Sequence, residues 1–225
     1  MNLKFIFYFG ILFLLTAGCK TKTGQNAKPG EGTITYKVSY PDSSRLGMKV
    51  ALLPRTMDLF FKNEKATFVT SAGMGTMQIV NILDYKSRKF TCLLIDAIRQ
   101  NYACTLSPEE IKENENTPKY KFEFVNETKT IAGLECKKAI VKDLTNNTTL
   151  ELYYYDKIRF YYWNSPFKDF DFLLMEYTHT INNLTMKLVA EKVDLTTPVD
   201  TSFFELHGNF RWLNQKDFYN YLKQL

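Results

Sequence analysis

The strongest constraint on the fold is a succession of short segments in which apolar and polar residues alternate. From Ile34 to Tyr40 the apolar residues occupy every second position, with Thr35, Lys37 and Ser39 between them. A period of two is the pattern of a strand with one buried face. About ten or eleven such segments follow one another, connected mainly by turns of hairpin length. Because no strand–helix–strand alternation interrupts them, the sequence predicts an antiparallel sheet.

The number of predicted strands also constrains the shape of the sheet. A long flat sheet exposes edges and aggregates, so a sheet of this size is expected to curve strongly or to close. We therefore predict an all-β fold with minor helices: one large curved antiparallel sheet or half-barrel. Ser107 to Glu110 predicts the start of a short middle helix. The helical spacing of Phe218, Tyr221, Leu222 and Leu225 predicts a C-terminal helix.

Residues 1–18 predict a secretory signal. Lys4 precedes an apolar run from Phe5 to Leu15, which is shorter than the roughly twenty residues of a membrane-spanning helix. Ala17, Gly18 and Cys19 then resemble a lipobox, in which acyl chains such as palmitate are attached to the cysteine thiol. The resemblance implies that Cys19 anchors the chain to a membrane of the bacterial cell envelope.

The segment after Cys19 contains no large apolar residue as far as Gly32. It predicts a flexible tether over residues 19–32, followed by a single β domain over residues 33–225. The tether lacks the acidic cluster that resembles a surface-export signal in Bacteroidetes-type lipoproteins. Its absence favours a periplasm-facing domain, held at the outer membrane.

Charge and motifs exclude several classes of function. The net charge is +5, and removal of residues 1–18, which contain Lys4 and no acidic residue, leaves +4. No cluster of basic residues indicates a nucleic-acid partner. The two histidines, His179 and His207, lie far apart and have no metal-ligand spacing. No nucleophile elbow, P-loop or dinucleotide motif is present. We therefore predict no metal, no cofactor and no enzymatic activity, and the oligomeric state stays open.

Two of the remaining cysteines occupy matching places in an internal repeat. The segment from Asp84 to Leu94 resembles the segment from Asp96 to Leu106, so Cys92 corresponds to Cys104. If a turn lies midway between them, the two cysteines stand opposite each other on adjacent strands, and a disulfide can form in an exported protein. The alternative is that Cys92, Cys104 and Cys136 are small buried apolar residues.

The most unusual segment is an aromatic block between residues 153 and 163. Consecutive aromatic residues in a strand place rings on both faces of the sheet. One face would line a cavity for an apolar ligand, and the other would meet a partner or a membrane surface. The alternative is that the protein itself covers both faces. The candidate ligand-binding residues are Tyr153, Tyr155, Phe160, Tyr162 and Trp163.

A family resemblance adds a ligand class. Ile131, Gly133, Cys136 and Lys138 form an I-x-G-x-x-C-x-K pattern that resembles a hairpin of the GLPGLI-type exported proteins of Bacteroidetes. The segments Thr185 to Val193 and Val199 to Leu206 resemble the closing part of those proteins. These families are similar to the LolA/LolB superfamily, in which helices plug the concave face of a curved sheet and the cavity holds lipid.

The resemblance implies a non-enzymatic envelope lipoprotein that binds a lipid or a lipoprotein acyl chain in its curved sheet. The alternative function is a structural or interaction lipoprotein that binds a protein partner through exposed aromatic residues. The two differ in the inside of the sheet: the first needs an enclosed apolar cavity there, whereas the second has a filled core and a contiguous apolar patch on the outside.

Overall fold

The computed structural model describes residues 28–41, 51–112, 119–145, 147–162, 166–181 and 184–222. Across these residues the chain forms thirteen strands and two α-helices. The strands are β1 Lys28–Pro29, β2 Glu31–Ser39, β3 Thr56–Lys62, β4 Lys65–Ala72, β5 Met77–Asp84, β6 Lys89–Asp96, β7 Tyr102–Leu106, β8 Tyr120–Ile131, β9 Leu134–Asp143, β10 Thr148–Arg159, β11 Phe172–Ile181, β12 Leu184–Asp194 and β13 Arg211–Trp212. The helices are α1 Pro108–Lys112 and α2 Gln215–Leu222, and short 3-10 turns occupy Gly73–Gly75 and Thr201–Phe204.

All thirteen strands belong to one sheet, which is mainly antiparallel. Twelve of them follow the order β13-β7-β6-β5-β4-β3-β2-β12-β11-β10-β9-β8, and β1 pairs with β10. Only β1 with β10 and β13 with β7 pair in parallel among the described strands. Strands β13 and β8 end this path and are not paired with each other, so the sheet is open.

The sheet curves strongly around its main core. Phe61 at the end of β3 lies with its ring centroid 5.6 Å from that of Phe160, which directly follows β10. Strands β2, β12 and β11 lie between β3 and β10, which would put them roughly 19 Å apart in a flat sheet. The contact therefore requires the sheet to curl. The predicted all-β fold, with one large curved sheet and two short helices, is confirmed.

Strand register defines the two faces of the sheet. Directly opposed residues in antiparallel strands point to the same side. One such row crosses six strands, and we call its side the inner face; the row consists of Ile34, Leu59, Phe68, Asn81, Cys92 and Cys104. Phe160 packs on Phe68, and Phe218 of α2 packs in a cluster with Cys92 and Cys104. Both the segment after β10 and helix α2 therefore cover the inner face.

The outer face is covered by the chain that follows β12. The ring of Phe203 stacks on Phe60 at a centroid distance of 3.8 Å. The Thr67 hydroxyl donates a 2.8 Å hydrogen bond to the Phe203 carbonyl. Val80, Leu93 and neighbouring side chains on this side pack against Phe210. Irregular chain and helix thus cover parts of both faces of strands β3 to β7.

The residues at the start of α1 and at the β8–β9 turn form the local structures that the sequence predicted. The Ser107 amide donates to Glu110 Oε2 at 2.7 Å, and the Glu110 amide donates to Ser107 Oγ at 3.3 Å, which is a capping box at the start of α1. The β8–β9 hairpin turns at Ala132 and Gly133, with φ of 47° and 81°. Positive φ at both central positions suits a tight hairpin turn, and glycine adopts it without strain.

The described chain begins within the predicted tether. Lys28 pairs with Ile158 and Glu31 with Lys62, so strand pairing starts before Gly32, where the tether was predicted to end. The predicted signal at residues 1–18 and Cys19 lie outside the described residues. Within the described part of the chain, no helix has the length and apolar character needed to cross a membrane.

Candidate functional site on the inner face of the sheet

The aromatic block divides between the two faces of β10. Tyr154 is 2% exposed and packs among the rings of Phe124, Phe170 and Phe172. Its neighbour Tyr153 is only half-buried and points to the opposite side, as expected for alternate residues of a strand. Rings on both faces of the sheet were predicted from the sequence, and the structure has them.

Tyr153 is surrounded by charged groups. Its hydroxyl donates a 2.7 Å hydrogen bond to Glu127 Oε1, and this bond raises the pKa of Tyr153. The ammonium groups of Lys129 and Lys138 lie 5.1 and 5.9 Å from its ring centroid. Tyr155 is likewise half-buried, with the Lys157 ammonium 5.9 Å from its ring. These two candidates therefore lie among cations and a carboxylate, where the rings are stabilised by cation–π contacts.

Phe160 is part of the packed core. It is 4% exposed, and its ring contacts those of Phe61, Phe68 and Tyr162 at 5.6, 6.2 and 4.6 Å between centroids. A side chain that lined an open cavity would keep accessible surface. Phe160 instead anchors the crossing segment to the inner face.

Tyr162 has a structural hydrogen-bonding role. It is 7% exposed, and its hydroxyl accepts a 2.7 Å hydrogen bond from the Leu174 amide. The Tyr36 hydroxyl donates a 2.7 Å hydrogen bond to the Leu174 carbonyl. Burial raises the pKa of both phenols well above the usual value, so both hydroxyls stay protonated. Together the two hydroxyls bond the amide and the carbonyl of Leu174 within the core.

Of the sequence candidates, Phe160 and Tyr162 are thus covered by the protein itself, which is the alternative stated for the aromatic block. Tyr153 and Tyr155 lie on the other side of β10, and Trp163 lies outside the described residues. The structure does not bring the four described candidates together at one surface.

Part of the inner face on β3, β4 and β5 is half-buried. Here five half-buried residues, which we call the inner-face groove, lie between Phe160 on one side and α2 on the other. They are Met57, Phe68, Thr70, Ile79 and Asn81. Met57 is opposite Thr70, Thr70 is opposite Ile79, and Phe68 is opposite Asn81, so all five point to the same side. Phe68 packs against the main core, whereas Ile79 packs against the cluster beneath α2.

The groove is apolar and carries no ionisable group among its five residues. The Thr70 hydroxyl donates to the Ile79 carbonyl at 3.4 Å, which leaves its methyl group to contribute to the floor. Asn81 supplies one amide, able to both donate and accept hydrogen bonds. An apolar surface with one polar group is the usual composition of a small-molecule site.

No motif in the sequence indicates this groove directly. Its residues belong to strands whose alternation predicts only a buried inner face. One signal was present: Asn81 interrupts the otherwise apolar inner positions of β5, between Ile79 and Leu83. A polar residue at such a position is costly unless it is bonded or accessible, so it marks a place where the face is incompletely covered.

Histidines and carboxylates form no metal site in the part of the chain that is described. No cluster of three His, Cys, Asp or Glu residues able to hold a metal ion is found there. His179 lies on β11, and burial lowers its pKa to about 4. His207 Nε2 lies 3.0 Å from the Ser202 carbonyl oxygen. Neither histidine belongs to a constellation that resembles a catalytic site.

Cys92 and Cys104 are directly opposite in the β6–β7 pair, in the register that the repeat predicted. Both are buried free thiols, as is Cys136 on β9. The disulfide itself stays a prediction.

Two surface cavities lie away from the groove. One, of about 250 Å³, is lined by residues of the β3–β4 and β5–β6 turns, with Thr201 and Phe204. The other, of about 230 Å³, lies where Arg211 and Leu213 meet α2. The first contains Lys62, whose ammonium is bound by Glu31 at 2.8 Å and by the Val199 carbonyl at 3.2 Å. It is therefore a charged surface recess.

Comparison with known proteins supports the fold alone. Two solved structures of PNGF-II, in space groups C2 and P21, align with TM-scores of 0.52 and 0.53 at 16% sequence identity. They cover 86% and 87% of this chain, and the chain spans only about a third, 32% and 34%, of theirs. These structures share the curved-sheet architecture with this chain over most of its length.

A beta-barrel-like protein of domain of unknown function DUF1849 from Brucella abortus aligns with a TM-score of 0.36 at 9% identity, over 76% of this chain and 100% of that one. That score is too low to show a shared fold. No family model and no curated protein matches the chain. The resemblance to the GLPGLI-type and LolA/LolB proteins therefore stays a prediction.

Proposed function

We propose that this protein is a membrane-anchored, non-enzymatic envelope lipoprotein that holds an apolar chain, from a lipid or a lipoprotein, in the inner-face groove. The observation that carries the proposal is the groove itself. It is a half-buried apolar strip on the concave side of a large sheet, bounded by the crossing segment at Phe160 and by α2.

The energetics of the groove favour an acyl chain over a charged ligand. Each methylene removed from water contributes about 0.8 kcal/mol, so an acyl chain gains affinity with every methylene that it buries on this floor. None of the five groove residues offers a charge to pair with an ionised ligand. The Asn81 amide can bond the carbonyl at the end of an acyl chain.

The geometry of the N-terminus is compatible with an anchored domain. Cys19 lies nine residues before Lys28, where strand pairing begins. Nine residues span at most about 30 Å when extended. Because β2 starts opposite Lys62, the end of the sheet with the β3–β4 turn would face the membrane.

Replacement of Ile79 by lysine is expected to abolish ligand retention, because it places a charge on the apolar floor. The matched control is Gln78→Lys, which adds the same charge one residue earlier on the opposite face of β5. Native mass spectrometry after gentle detergent extraction should show bound lipid on wild type and on the control, and at least tenfold less on Ile79→Lys. Absence of lipid from wild type, or equal retention by the two variants, would contradict the proposal.

Anchoring is tested separately at the predicted lipid acceptor. Cells that express the full chain should incorporate labelled palmitate into wild type and into Cys136→Ser, but not into Cys19→Ser. Wild type should fractionate with membranes, because lipidation at Cys19 would supply more than one acyl chain, as stable attachment requires. An unlabelled wild-type protein beside a labelled control lipoprotein would refute the anchor.

Exposed aromatic residues favour a second candidate function, the binding of a protein partner. Trp212 is 53% exposed on the two-residue edge strand β13, and Tyr219 on α2 is also exposed. Exposed aromatic side chains are enriched at protein interfaces. An empty wild-type groove, together with photo-crosslinking of one dominant partner at Trp212, would favour this function over ligand binding.

A further inference from the structure

Cys92 and Cys104 occupy a position that suits a cross-strand bond. They are directly opposite in the antiparallel β6–β7 pair. Directly opposite residues in such a pair have Cα atoms about 4.5–5.5 Å apart, within the 4.4–6.8 Å range of disulfides. Both side chains point to the inner face, since they continue the row that contains Phe68 and Asn81. The two thiols can therefore be joined without a change of register.

Helix α2 lies over this pair. Phe218 is nearly fully buried in the cluster that contains both cysteines. Tyr221 of the same helix packs on Tyr102 of β7, with ring centroids 4.4 Å apart. Burial, and then the nearby Cys92 and Cys104, raise the pKa of Tyr219 on the same helix. The helix closes the cysteine pair off from solvent.

We propose that Cys92 and Cys104 form a redox-active pair, which is oxidised to a disulfide. Helix α2 controls access to this pair. A thiolate of the pair attacks a disulfide compound and forms a mixed disulfide; the second thiolate then displaces the other half of that compound. The two thiols lose two protons and two electrons, and the disulfide compound is reduced to two thiols. In the cell the oxidant class is a disulfide-bearing oxidoreductase of the envelope, a step that rests on the proposed export.

Gating follows from the burial of the two thiols. Burial raises the pKa of Cys92 to about 12 and also raises the pKa of Cys104, so the docked state holds almost no thiolate. Since the thiolate is the nucleophile in exchange, reaction requires α2 to lift from the sheet. Once the bond has formed and α2 has closed again, reductants are excluded in the same way.

Cys136 provides an internal control. It is as buried as the pair, but it lies in the main core on β9, and its cross-strand neighbour is Lys129. It therefore has no cysteine opposite it and is not covered by α2. Its reactivity reports loss of the overall fold, whereas that of Cys92 and Cys104 reports α2.

The test uses the full chain, reduced and then incubated with glutathione disulfide. After quenching by alkylation, peptide mapping should show one bond between Cys92 and Cys104, a mass lower by two hydrogen atoms, and Cys136 as a thiol. Stable glutathione adducts without this bond, or a bond to Cys136, would overturn the proposal. Neither result affects the lipid or palmitate measurements, so the proposed function is tested independently of the redox-active pair.

Variants of α2 test the gate. Phe218→Ala should form the bond at least tenfold faster than wild type. Tyr221→Ala removes the ring contact with Tyr102 and the packing of a partly buried side chain on the cysteine cluster, and should accelerate it less. Lys216→Ala, on the exposed side of the helix, should leave the rate unchanged. Equal rates in wild type and Tyr221→Ala, with Cys136 unreactive in both, would refute gating. If Cys136 reacts in Phe218→Ala, that variant has unfolded. The rate of disulfide formation in Tyr221→Ala then decides whether α2 controls the reaction.

Discussion

Replacement of Phe160 by alanine is expected to lower the free energy of unfolding by about 3–5 kcal/mol. The side chain fills the space between β3 and the end of β10, against Phe61, Phe68 and Tyr162. Its truncation leaves a cavity in a region where the backbone on both sides belongs to the sheet and cannot collapse inward. The edge-to-face ring contacts are lost as well.

The neighbouring residue supplies the matched control. Tyr161 is 47% exposed, so Tyr161→Ala should change the free energy of unfolding by less than about 1 kcal/mol. Tyr85 donates its hydrogen bond to the Tyr161 carbonyl, which alanine retains. Urea denaturation of wild type and both variants measures the difference. Equal stabilities would mean that Phe160 is not part of the core, and would return it to the set of ligand contacts.

The protein is expected to lose about 2 kcal/mol of stability between pH 7 and pH 5 through His179 alone. Burial lowers the pKa of His179 from 6.5 to about 4. Its Nδ1 is buried without a hydrogen-bond partner among the described residues, so nothing there compensates a charge on the ring. Well above pH 6.5 the ring is neutral in both the folded and unfolded states, so proton binding by His179 does not lower the free energy of unfolding. As the pH falls from 6.5 towards 4, the unfolded state binds a proton that the folded state does not, and stability declines.

His179→Gln should flatten this part of the pH profile, and His207→Gln should leave it in place. The window between pH 7 and pH 5 separates the effect from that of Glu176, whose pKa is lowered and whose contribution is lost only below about 4.5. Free energies of unfolding at three pH values in this window are sufficient. A profile that is the same for wild type and His179→Gln would show that His179 titrates normally in the folded protein.

Local features of the sequence predicted a large part of this structure. The alternation over β2, the capping box at Ser107 and the turn at Gly133 each depend on interactions within a few residues. The register of Cys92 with Cys104 belongs to the same group, because a hairpin of known length places its two strands without reference to the rest of the fold.

The functional interpretation of the aromatic block depended on the tertiary structure. The alternation of residues 153–162 predicts rings on both faces, but it contains no information about what covers each face. Phe160 and Tyr162 are covered because the sheet curls until β3 meets the end of β10. The accessible groove lies instead on β3 to β5, in strands that the sequence did not mark as a site.

The sequence by itself predicted a series of antiparallel strands, a hairpin at Gly133 and the register of Cys92 with Cys104. Only the tertiary structure decided which part of the inner face stays open. The reason is the pairing of β2 with β12, which joins Tyr36 to Ala190 across most of the chain and unites the two halves of the sheet. Long-range pairings of this kind depend on the combined packing of both strands and their covers, and no local pattern encodes them.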